Sequence, residues 1–170
     1  GAPFGTIEIA GDAIEADVLI NLAKLKTHGQ MLLTCGVKNL FGCVVGFRKP
    51  EWHMRAGVDR GLFARLLVGI YRTIRPAVTI VDGILALEGD GPGKGGVPRE
   101  VGHLIAGRDA TAVDRVICAM LGIDPRDLPT DRASVEMGIG GDPVDIDGTV
   151  PRIEGFRLPE GGSLVYGPRR

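Results

Sequence analysis

Aromatic residues are scarce, with five Phe, two Tyr and one Trp in 170 residues. Such a sequence offers no regular platform for stacking nucleobases. Cysteine is scarcer still: Cys35, Cys43 and Cys118 are odd in number and form neither a CxxC pair nor a ferredoxin-type run, which excludes a disulfide scaffold and predicts reduced thiols. The net charge of −1 argues against a generally cationic nucleic-acid binder. No apolar run approaches the ~18 residues of a membrane span, so no membrane partner is expected. The first twenty residues carry Glu8, Asp12, Glu15 and Asp17 and no Lys or Arg. A secretory leader would begin with cationic residues, so the expected location is cytoplasmic. The chain opens Gly1-Ala2-Pro3 and reads as a segment of something longer.

What the sequence does hold is glycine and proline, 27 and 11 respectively, without a triplet period; they mark turns between alternating β and α patterns. Ala16–Leu22 reads as a buried strand and Met31–Phe41 as a short helix stopping at Gly42. From Asp59, a candidate N-cap, Leu62, Phe63, Leu66, Leu67, Ile70, Tyr71 and Ile74 trace one face of an amphipathic helix that must end before Pro76. Ala77–Val81 is a β-branched run closed by Asp82-Gly83, and Val101–Ala106 is the next strand. Asp109 opens a helix with Gly122 at its stop, and Thr130 caps a further helix to Met137. Short strands are expected around 144–146 and 152–156, with a loosely held tail over 160–170. Neither a repeat nor a dividing linker is visible. The expectation is one α/β domain or domain segment over 1–170, a mostly parallel or mixed sheet flanked by helices, the small late strands being candidates for antiparallel pairing.

Charge is uneven. Seven Lys/Arg (Lys24, Lys26, Lys38, Arg48, Lys49, Arg55, Arg60) face two acids (Glu51, Asp59) between Lys24 and Arg60, a formal +5, so the rest of a chain of net −1 carries −6. Anions are drawn to such a region. Lys24, Lys26, Thr27 and His28 follow a predicted strand, where a βα loop presents donors to a phosphate or carboxylate, though a solvated positive face has the same composition. Lys38-Asn39 interrupts an apolar helix, and polar groups in such places need partners, unless Lys38 snorkels to water and Asn39 bonds the backbone. Asp82 and Asp109 fall at predicted strand ends. There they could act as an acid/base pair or bind a divalent cation, against the plainer roles of turn and helix cap. Asp114 sits further along the same helix and, if buried, needs a cationic partner such as Lys24, Lys26 or Lys38.

Two further patterns invite a chemical reading. His28, Cys35, Cys43 and His53 have the residue types of a zinc site but not the spacing of a finger or ribbon. The segment Glu88–Gly96 lacks the Walker A glycine and hydroxyl. Its GxGxxG at Gly91, Gly93 and Gly96 leads into a strand instead of a helix, so it reads as a mobile loop or lid beside the site, or as a plain glycine-rich connection.

With these residues in view, the chain resembles the uncharacterised family catalogued as domain of unknown function 362. The likeness is carried by ADVLINLAKLKTH (16–28), LTCGVKNLFG (33–42), His53, IVDGILALEGDGPGKGG (80–96) and AGRDATAVDRVICAMLG (106–122). It points to Lys24, Lys26, Thr27, His28, Lys38, Asn39, Asp82, Gly83, Gly91, Pro92, Asp109 and Asp114. The resemblance implies a further α/β portion ahead of this region in many members. It also implies frequent company of ferredoxin-like four-iron clusters on separate cysteine runs, so an iron–sulfur domain or protein is a possible partner although this chain's own cysteines hold no cluster. The leading expectation is an enzyme domain in which Lys24, Lys26, Thr27, His28, Asn39 and Gly91 bind an anionic small molecule and Lys38, Asp82, Asp109 and Asp114 do chemistry, with Lys24, Lys26, His28 and Lys38 converging on one cleft opposite the carboxylates. The alternative is a non-catalytic module docking an acidic protein partner or, less favoured, nucleic acid through residues 24–60. Whether it is an enzyme is left open by the sequence.

Overall fold

The computed structural model describes residues 5–46, 49–56 and 59–160. A short α1 (Gly11–Glu15) precedes β1 (Ile20–His28) and β2 (Leu32–Thr34). Next come α2 (Gly36–Asn39), running into a 3-10 turn at Leu40–Cys43, then α3 (Lys49–Ala56) and α4 (Arg60–Ile74). The long hairpin β3 (Val78–Asp90) and β4 (Gly95–Gly107) leads to α5 (Ala110–Leu121) and α6 (Pro129–Glu136). The strands form one mixed sheet in the order β2-β1-β3-β4, with β1 and β3 parallel and the other pairs antiparallel. The α/β class expected from the sequence is what the chain adopts.

Two helices form where their signals said. The side chain of Asp59 accepts from Leu62 N and starts α4, whose stripe of Phe63, Leu66, Leu67, Ile70 and Ile74 is buried. Arg75, in the left-handed region at φ 49°, closes it. Asp109 caps α5 in the same way, and Gly122 at φ 70° ends it, a conformation that glycine adopts without steric cost. The helices lie on one face of the sheet and share two adjoining cores. One gathers Val37, Leu40, Phe41, Trp52, Phe63 and Leu67 around α4; the other seats Ile117 and Met120 of α5 on Leu25, Val81 and Ile105 of the sheet.

The opposite face carries no layer among the described residues. Leu22 and Leu104 stay 68% and 62% exposed there, flanking the intermediate Ile80, with Lys24 and Asp82 beside them.

Several expectations are corrected. The first strand begins at Ile20, not Ala16, and runs to His28, so Lys24–His28 is strand, not loop. The alternation of inward Asn21, Ala23, Leu25 and Thr27 with outward Leu22 and Lys24 carries it onward, because an ammonium on the open face costs no burial. Met31–Phe41 is divided between β2 and α2. β3 does not stop at Asp82-Gly83; the register shifts between Gly83 and Leu85 and the strand continues to Asp90. α6 spans Pro129–Glu136, with Thr130 inside its first turn and Leu128 at the cap position. Residues 144–146 and 152–156 form no strands and cross the surface as irregular chain, tied at Ile153 N to Met120 O. Phe47, Arg48 and the tail 161–170 lie outside the described residues.

Candidate functional site

At the carboxyl end of β1 the chain turns sharply, and the ring of His28 accepts from Gln30 N (3.2 Å) and Met31 N (3.3 Å) at Nδ1. That pairing fixes the tautomer, leaving the proton of the neutral ring on Nε2. Burial, followed by the charge of Lys38, His53 and Lys26, pulls the pKa of His28 down to about 2, so the ring is neutral at physiological pH. The imidazole of His53, from α3, stacks on it with centroids 5.8 Å apart and planes at 10°. His53 Nδ1 meets Gln30 Oε1 at 2.8 Å, and its ring is walled by Phe63 (4.4 Å between centroids) and edge-on Phe41 (5.6 Å). Burial and the nearby Lys38 lower its pKa to about 4.

Lys38 is brought to this place by α2, and α2 is held by polar contacts to the sheet and α5. The buried carboxylate of Asp114 accepts from Gly36 N (2.6 Å) and Val37 N (3.2 Å), satisfying orphan donors at the helix start. Burial pushes that carboxyl up to about 7 against the two amide bonds. A Cβ on Gly36 would lie 2.8 Å from Thr79 Cγ2, so only glycine permits this approach. Asn21 Nδ2 donates to Gly36 O (2.8 Å), while Asn39 Nδ2 donates to Asn21 Oδ1 (2.8 Å) and Leu22 O (2.9 Å). Asn39 is thereby a fastener of α2 to β1.

The Lys38 side chain sets its ammonium 5.6 Å from the centroid of Phe41 and 5.7 Å from that of Phe63. The residue is 9% exposed, and among the described residues no carboxylate pairs with it. Burial, then the charge of Lys26, lowers its pKa to about 8. Holding the charged form there at neutral pH costs about 3 kcal/mol relative to water, only part of which two cation–π contacts return.

Of the residues that the sequence nominated, Lys26, His28 and Lys38 come together and Lys24 does not. Lys24 Nζ lies 2.8 Å from Asp82 Oδ2 on the open face of the sheet, and Asp82 Oδ1 also accepts from Ile84 N. The expected carboxylate pair is not assembled. Antiparallel pairing sets Asp82 opposite Leu104 in mid-strand and Gly107 opposite Thr79, so Asp109 follows the far end of the hairpin. There Asp109 caps α5, accepting from Thr111 N, Thr111 Oγ1, Ala112 N and the Tyr71 hydroxyl. It borders a separate cavity of about 530 Å³ between β4, α5 and residues 143–151.

Thr27 and Gly91 meet each other. Gly91 N donates to Thr27 Oγ1 (3.2 Å) and Gly29 N donates to Gly91 O (3.2 Å), clasping the hairpin tip to the turn after β1. The hairpin is fastened on its other side as well. Arg157 Nε donates to the buried carboxylate of Glu88 at 2.8 Å, and Arg157 O accepts from Gly89 N. The zinc-like set does not gather: among the described residues no three His, Cys, Asp or Glu converge to hold a metal ion. Sequence reasoning missed Gln30, Phe41, Phe63 and the role of His53. Gln30, two residues from His28, was within reach of inspection, whereas Phe63 looks like any other residue of the α4 stripe.

A family model described as a domain of unknown function, DUF362, matches residues 1–119. The thylakoid-associated protein sll1697 of Synechocystis sp. is 43% identical over 164 residues, a match covering 92% of this chain and 50% of that protein. The chain therefore spans about half the length of this curated relative. No solved structure matches it. Among the described residues no helix is long and apolar enough to cross a membrane.

Proposed function

The chain belongs to the family of domain of unknown function 362, and on that premise we propose that it holds a small anionic molecule against Lys38 as the substrate-binding part of an enzyme, with Lys26 and the Nε2–H of His28 as the accompanying donors. One observation carries this reading: Lys38 is nine-tenths buried with no counter-charge among the described residues. An anion supplies the missing charge, removes much of the desolvation cost and uses the Nε2–H that His28 directs away from its own turn. Asp114 and Asn39 support the site by seating α2. A cytoplasmic setting belongs to the same proposal, while coupling to an iron–sulfur partner is a variant that rests on the family's company alone. The relative's name associates that protein with thylakoids.

The test is calorimetric titration of the purified chain with inorganic phosphate, acetate and pyruvate at pH 7. At least one should bind, and Lys38→Ala should weaken it by roughly 10-fold or more, the worth of a charge-assisted hydrogen bond. Lys24→Ala should change it by no more than about twofold, since its partner is the exposed Asp82. Equal losses in the two variants would return the site to a diffuse basic surface.

A further inference from the structure

We infer that Lys38 is a covalent site, whose ε-amine condenses with the carbonyl carbon of a small 2-oxo acid while Lys26 and His28 hold that molecule's carboxylate. This rests on the anion-binding reading and specifies its ligand. A lysine that only attracts anions works best as a solvated ammonium at a pocket mouth. Lys38 instead sets its ammonium over both Phe41 and Phe63, whose perpendicular rings also pack against His53. A desolvated amine beside a second cation has its neutral, nucleophilic form brought within reach, and an apolar wall favours loss of water from the adduct.

The groups facing Lys38 divide the work. Lys26 is the cation whose charge it feels, suited to a carboxylate and unable to neutralise the amine. His28 donates through Nε2–H, its Nδ1 being committed to Gln30 N and Met31 N. His53, with Nδ1 on Gln30 Oε1, has the lone pair of its neutral ring at Nε2. The step balances without redox chemistry. The lone pair of Lys38 Nζ forms a C–N bond to the carbonyl carbon, and a proton passes from nitrogen to the carbonyl oxygen through solvent. The resulting hydroxyl takes up a further proton from solvent and leaves as water when the C–O bond breaks, giving a protonated imine. The rings of Phe41 and Phe63 lie within cation–π reach of that cation as of the ammonium.

The experiment is reductive trapping. The wild-type chain is incubated with pyruvate or 2-oxoglutarate, treated with borohydride, digested and mapped by mass spectrometry. The expected result is a gain equal to the oxo acid minus one oxygen, confined to the peptide bearing Lys38, absent from Lys24, and competed away by the anion that binds best in titration. Trapping should accelerate as pH rises through about 8, where the amine loses its proton. Lys38→Arg, whose guanidinium forms no imine, should lose the adduct. Anion binding without any adduct, or adduct spread evenly over surface lysines, overturns covalency and leaves the binding proposal standing; absence of both binding and adduct overturns the two together.

Discussion

Lys24, in β1, and Lys38, on α2 packed beside it, are fourteen positions apart, yet they occupy opposite electrostatic situations. Lys24 is on the uncovered face of the sheet, half exposed, with the carboxylate of Asp82 at 2.8 Å. Lys38 is on the helical side, buried beside two phenyl rings with no carboxylate pairing with it among the described residues. The first has a partner it hardly needs in water; the second lacks the partner that burial demands. A cation's nearness to other cations is therefore a poorer guide to a binding site than the absence of its counter-charge.

That contrast can be broken in several ways. The largest effect should come from the core of α4 away from Lys38: Leu66→Ala should cost ~2–5 kcal/mol in urea denaturation, with anion affinity of the folded fraction little changed. If affinity collapses in proportion to stability, the pocket has no identity apart from the core. Next, Lys38→Met should stabilise the ligand-free chain by ~1–3 kcal/mol at pH 7, because a thioether fills similar volume without the desolvation cost. The gain should vanish toward pH 10. In the wild type the folded pKa of about 8 lies below the ordinary lysine value of 10.5, so the unfolded chain binds more protons between them and stability rises with pH across that window. A variant that melts earlier than wild type at pH 7 would make the lysine structural.

Acid is a third probe. His53 and His28 have folded pKa values of about 4 and about 2, below the ordinary 6.5, so their contribution is present above pH 6.5 and lost as pH falls through 6.5 toward those values. The slope should reach at most ~1.4 kcal/mol per pH unit for each ring, and His53→Phe should flatten it in denaturation curves at pH 7, 6 and 5. A bound anion should flatten it too, by favouring protonated rings. The smallest effect is reserved for the other lysine: Lys24→Ala, Asp82→Ala and their combination should leave the melting temperature within the scatter of replicate scans at physiological salt.

Legibility followed the range of the interactions. α4 and α5 could be read because cap, period and stop all lie within one segment, and Lys38 stood out because an apolar helix gives a cation no local partner. Asp109 as a cap was equally local. The start of β1 was misplaced because Val18 belongs to an apolar run yet lies 65% exposed ahead of the strand. Continuous hydrophobicity does not mark burial on a sheet with one bare face. The Lys24–Asp82 pair spans 58 positions, as the parallel register of β1 on β3 decides. His53 and Phe63 reach the site only through the packing of α3 and α4, which no spacing encodes.

The clasp between Gly91 and Thr27 has a mechanical consequence. A Cβ at Gly91 would stand 2.5 Å from Thr27 O and 2.6 Å from its Oγ1, so the two backbones are in contact with nothing compressible between them. Thr27 immediately precedes His28. Torque on the thirteen-residue arms of the β3–β4 hairpin is thus delivered to the residue that precedes His28. The hairpin is a lever whose short end is the turn that carries His28.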